Sequence, residues 1–81
     1  MKFHHTFEQK RDSGWVESNC NAITFVNKGD TDIKVSGFAL ANGEALELEG
    51  WPGEMDHTSY QVIIDPASVT PLVHIIRKIY Q

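Results

Sequence analysis

One cysteine, three prolines and no long apolar run are the shortages that first bound this chain. Cys20 stands alone, so no disulfide can form within the chain. That points to synthesis in a reducing compartment and shifts the burden of stability toward partner chains or a bound ion. The need is real, because a chain of 81 residues makes one domain at most. A domain of that order buries only roughly 60% of the surface its unfolded form exposes. Basic residues are also scarce: seven Lys and Arg against eleven Asp and Glu leave a net charge of −4. Phosphate contacts need clustered cations, so a nucleic-acid partner is not expected. No stretch is long or apolar enough for a membrane span, and "MKFHHTFEQKR" has no run of signal-peptide length. The expectation is a soluble protein with no secretion signal and no membrane partner.

Motifs that carry chemistry are missing as well. No G-x-S-x-G surrounds any serine, and Cys20 is the only thiol nucleophile on offer. Glu54, Asp56 and His57 cluster, and Asp30 and Asp32 flank a turn, yet the EF-hand spacing is absent and Cys20 lies far from the histidines. These aspartates read instead as caps on nearby backbone N–H groups. A cupin-type metal site needs paired histidines one residue apart, whereas His4 and His5 are adjacent and would point to opposite faces of a strand. Glu47 and Glu49 share a strand face, which suits a solvated surface better than paired-carboxylate catalysis. No catalytic residue, metal or cofactor is therefore expected.

What is present is alternation. With 41% apolar and 22% charged residues the chain has the composition of a folded domain rather than a disordered one. "NAITFVN" puts Ile23 and Phe25 on one face, and "DIKVSG" does the same with Ile33 and Val35. The intervening "NKGDTD" has turn chemistry, which predicts a β-hairpin from about Ala22 to Ser36. A second hairpin is expected around Asn42-Gly43, between a strand carrying Phe38 and Leu40 and one carrying Leu46 and Leu48. "GWPGEMDHTS" reads as a loop, and "YQVIID" as a strand with Tyr60, Val62 and Ile64 inward. In "LVHIIRKIY" Val73, Ile75 and Ile79 fall on one face and Leu72, Ile76 and Tyr80 on the other, so both faces are largely apolar. Isoleucine, valine and the preceding prolines favour strand over helix there. The alternation of Phe3, His5 and Phe7 permits a strand in the first 20 residues, with a partner-ordered arm as the alternative. The expected fold is thus all-β: a single small antiparallel β-sandwich or partly open barrel of about six or seven short strands over residues 21–81, preceded by an N-terminal arm or edge strand over residues 1–20.

Residues 44 to 65 hold Glu44, Glu47, Glu49, Glu54, Asp56 and Asp65 and neither Lys nor Arg, which reads as a solvated acidic face. Trp51, between Gly50 and Pro52, is the residue there most open to a functional reading, because sugars stack on exposed indoles. From Ile23 to Val62 a fuller pattern appears: a strand ending N-x-G, an acidic turn, V-x-G-x-x-L, G-E-x-L-x-L-x-G, then G-E-x-D-x-T-x-Y. This half of the chain resembles short β-rich proteins of tailed phages and prophages of gut Bacteroidetes, including crAss-like phages. Relative to that pattern, Asn42-Gly43 replaces a more usual Pro-Gly, and Trp51 a smaller residue. The resemblance implies a non-enzymatic virion component, a capsid auxiliary or other particle-surface protein, made in the bacterial host cytoplasm. Its partners would be other virion proteins of head, neck or tail, met as a homo-oligomer or in many lattice-bound copies. Expected contact residues are Phe3, Phe7, Trp15, Ile75, Ile79 and Tyr80, with Trp51 in addition. A small carbohydrate- or surface-binding module built on Trp51 is the alternative.

Overall fold

The computed structural model describes residues 2–80 and is all-β, with eight strands and no helix among those residues. They are β1 (Phe3–Lys10), β2 (Gly14–Glu17), β3 (Ala22–Asn27), β4 (Ile33–Val35), β5 (Phe38–Leu40), β6 (Ala45–Leu48), β7 (Ser59–Ile64) and β8 (Val73–Tyr80). Two four-stranded sheets result, with order β1-β8-β3-β6 in the first and β2-β7-β4-β5 in the second. Every strand pairing is antiparallel. The architecture is an open sandwich. Its strand count exceeds the expected six or seven because β1 and β2 both form, as edge strands of different sheets.

Period-two alternation builds the core between the sheets. Ile23 and Phe25 from β3 and Val73 and Ile75 from β8 face Ile33, Val35, Val62 and Ile64 of the second sheet, all buried. Register flanks Phe25 with Leu46 on one side and Ile75 on the other. Tyr60, rising from β7, meets the Phe25 ring edge-on at 5.5 Å between centroids. Phe25 is therefore the packing centre of the sandwich.

Two expected hairpins are not hairpins. β3 pairs with β6 and β8, while β4 pairs with β5 and β7, so the chain crosses from one sheet to the other between Asn27 and Ile33. The cause is Asn27, a wholly buried amide at the bend. Its Nδ2 donates to Thr31 O at 2.8 Å and Leu40 O at 3.0 Å, and its Oδ1 accepts from Gly29 N at 3.0 Å. Those bonds fold the loop across the core edge instead of back along β3. The chain crosses again between β5 and β6. A type I′ hairpin needs positive φ at both central residues, but here only Gly43 has it (φ 86°), and Asn42 does not. The one hairpin of sequence neighbours is β4–β5, where Ser36 (φ 49°) and Gly37 (φ 86°) are both left-handed and Val35 pairs with Phe38.

Because Asn27 satisfies three backbone groups, Asn27→Ala leaves them without those partners in a buried bend. The expected cost is about 3 kcal/mol, read as a lower urea midpoint with an unchanged slope. A midpoint that does not move would show that the bend holds without the amide.

Candidate functional site

The candidate surface starts from a charge placed inside. Arg77 has the parity of Val73 and Ile75 and so lies on the inner face of β8. It does not pack there as an apolar residue. Its Nε donates to Glu17 O and Ser18 O, both at 3.1 Å, its Nη2 donates to Glu17 O at 2.7 Å, and its Nη1 meets Glu8 Oε1 at 2.7 Å. The guanidinium thereby joins β8 to the end of β2 in the other sheet and to β1 in its own. Glu8 must then face inward, and with it His4, Thr6 and Lys10. The alternating set Phe3, His5 and Phe7 faces outward.

Outward, the register sets Phe3 beside Tyr80, His5 beside Lys78 and Phe7 beside Ile76. The rings form a chain: Phe3 to His5 at 5.5 Å, His5 to Phe7 at 6.2 Å, and Phe3 to Tyr80 at 6.0 Å between centroids. Lys78 Nζ lies 4.5 Å from the Phe3 centroid and 5.0 Å from that of Tyr80, a cation–π arrangement. Phe3 is 50% and Phe7 76% exposed, so large aromatic surface lies open on the outside of the first sheet.

Trp51 reaches the end of this surface. It is exposed, and with Glu49, Gly50, Pro52 and Tyr80 it lines a cavity of about 540 Å³. The loop carrying it is held by Asn21. Asn21 Nδ2 donates to Glu54 O at 2.5 Å, and its Oδ1 accepts from Tyr80 N at 2.8 Å, tying the loop to the tip of β8. Gly50 permits that crossing, since a Cβ there would lie 2.0 Å from Asn21 O. A few residues on, Cys20 and Asp56 form a β-bridge, and Ser18 Oγ donates to Asp56 O at 2.5 Å.

The expected contact residues therefore divide. Phe3, Phe7 and Tyr80 form one outer stripe, and Trp51 shares a cavity with Tyr80. Ile79 is half-buried against the core. Trp15 is 64% exposed but lies in β2 of the second sheet, where its neighbour Val16 takes the inward position. Ile75 is corrected: it is wholly buried between the sheets, where its parity with Val73 places it, and no partner can reach it in the folded chain. His5, Ile76 and Lys78 belong to the stripe although the sequence reading did not single them out as contacts. For His5 the signal was its place between Phe3 and Phe7.

The acidic and thiol candidates resolve into structural roles. Ser68 Oγ and the Val69 and Thr70 N–H groups donate to the Asp30 carboxylate. These bonds, Ser68 first, lower its pKa from 3.8 to about 2. Asp56 accepts from Thr58 N at 2.8 Å and Tyr60 Oη at 2.5 Å. Burial pushes the Asp56 pKa up, but the bonds from Thr58 and Tyr60 outweigh it and the net shift is downward. The Tyr60 hydroxyl is raised, by burial first and by its bond to Asp56 second. Burial also raises the Cys20 thiol despite the Arg77 charge, so Cys20 stays protonated and donates to Ala22 O at 3.2 Å. Among the described residues no three His, Cys, Asp or Glu side chains gather to hold a metal ion.

No family model, curated protein or solved structure matches this chain.

Two outcomes follow from this geometry. Gly50→Ala should cost about 2 kcal/mol by overpacking, seen as a lower denaturant midpoint; a stability equal to wild type would mean that the loop is free to shift. Asp30 has its folded pKa below the unfolded value, so its stabilisation is complete above about pH 4 and is lost as pH falls to about 2. The melting-temperature gap between wild type and Asp30→Asn should close over that window; a gap still open at pH 2 would refute the assignment.

Proposed function

We propose that this chain is a structural protein of a tailed-phage particle, a capsid auxiliary or other particle-surface protein. It is made in the host cytoplasm and acts by binding other virion proteins. The observation that carries the binding role is the outer stripe of Phe3, His5, Phe7 and Tyr80, with half to three-quarters of each phenylalanine exposed. Beyond their contacts with one another and with Lys78, these rings leave apolar surface in water that the chain alone does not cover. Covering such a side chain contributes roughly 1.5–3 kcal/mol before the cost of association. Many copies on a lattice multiply weak contacts of this kind through avidity. The sequence pattern from Ile23 to Val62 is what points to a virion rather than to another assembly.

A second reading has its own observation. Trp51, Pro52 and Tyr80 with Glu49 line an open aromatic cavity, and an aromatic wall beside a hydrogen-bonding acid suits a sugar. Trp51→Ala would then abolish glycan retention with the fold intact, and no signal on a glycan array would remove this reading.

Mass spectrometry of purified particles should find the protein as a stoichiometric component, and its absence from them would overturn the particle role. The double variant Phe3→Ser/Phe7→Ser, at exposed positions, should still unfold cooperatively, at a cost of about 1–2 kcal/mol for the lost contacts with Tyr80 and Lys78. It should also be lost from the particles. Retention equal to wild type would show that the stripe is not the docking surface.

A further inference from the structure

The free edge of β1 points to a second copy of this chain as its partner. We propose that two copies pair antiparallel through β1, joining their first sheets into one eight-stranded sheet across a two-fold axis at Thr6. This inference rests on the edge and its register, and it holds whether or not the protein belongs to a virion.

β1 is an edge strand, bonded to β8 on one side only. It is eight residues long, against four for β2 and β6 and three for β5, the other edge strands. At about 3.3 Å per residue that is roughly 26 Å of unpaired backbone N–H and C=O groups. Proteins that stay monomeric guard such an edge by shortness, proline, a bulge or inward charges on the strand. β1 contains no proline, and its pairing with β8 runs unbroken from Phe3↔Tyr80 to Lys10↔Val73 without a bulge. Of its two inward charges, Glu8 is taken up by Arg77 and Lys10 lies at the strand's end, beyond the positions that pair across the axis. Phe3 to Gln9 are exposed on both faces, so the second sheet does not extend over β1 and leaves room for another strand.

The strand is also complementary to itself. Side chains stay on their own faces only when partners are separated by an even number of positions. Centring on Thr6 satisfies this and sets His5 opposite Phe7 twice on the outer face. On the inner face it sets His4 opposite Glu8 twice, an imidazole N–H donor against the carboxylate that also meets Arg77. Thr6 meets Thr6. Seven paired positions supply about six to eight backbone hydrogen bonds, and the two aromatic stripes become one continuous surface.

Sedimentation velocity over a concentration series tests this. Wild type should show a reversible dimer, and a chain still monomeric at about 1 mM would overturn the proposal. Thr6→Glu is the discriminating variant. Within one chain Thr6 pairs with Arg77, so the new carboxylate is welcome there, whereas at the axis two carboxylates face each other. The dimer midpoint should rise by roughly tenfold or more with the melting temperature unchanged; a midpoint equal to wild type would place the contact elsewhere. Thr6→Cys, close to isosteric, keeps the test open if the glutamate disturbs the fold. Cys20 is wholly buried and does not compete. Mild oxidation should link the copies through residue 6, and no covalent dimer would refute the axis.

Discussion

The orientation of the N-terminal strand depends on Arg77. A guanidinium on the inner face of β8 is only partly open to water, so it is best satisfied by oxygen acceptors close at hand. It takes two main-chain carbonyls at the end of β2 and the carboxylate of Glu8. Once Glu8 is committed inward, period two sends Phe3, His5 and Phe7 outward. An apolar residue at 77 would remove that anchor and let a one-residue slip of β1, which turns the rings to the inner face, compete. The exposed stripe is thus a consequence of one polar contact on the inner face and not a failure of the core to cover its own residues.

Much of the architecture was legible from alternation alone. Ile23 with Phe25, Ile33 with Val35, and Val62 with Ile64 all lie buried as their spacing requires. The all-β class and the antiparallel sandwich follow from the same pattern. Connectivity was not legible in the same way, since Asn, Gly and Asp serve a hairpin and a sheet-to-sheet crossing equally well. What separates the two is whether a side chain holds the bend across the core, and Asn27 looks like any turn asparagine until its amide is seen bonded to Thr31 and Leu40. The real hairpin at Ser36-Gly37 was hidden because serine seldom takes a left-handed φ.

Of the surface, the aromatic identities could be read and the direction they face could not. Strand parity tells which residues share a face, but not which face is inside; Arg77 supplies that, through contacts 59 and 69 residues away in sequence. The same blindness put Ile75 among the contacts. Both faces of β8 are apolar in sequence, and only the register with Phe25 marks one of them as core.

The topology has a consequence in time. Five of the six strand pairings join strands that are not neighbours in sequence, and β4–β5 is the exception. Non-local pairing requires loop closure before any contact rewards it, so such a chain folds slowly for its size. The first strand pairs with the last, Phe3 against Tyr80. During synthesis β1 therefore emerges with neither edge matched and waits until residue 80 has been made. A ring-bearing strand left open that long is available to chaperones and to other nascent copies before it is available to its own sheet.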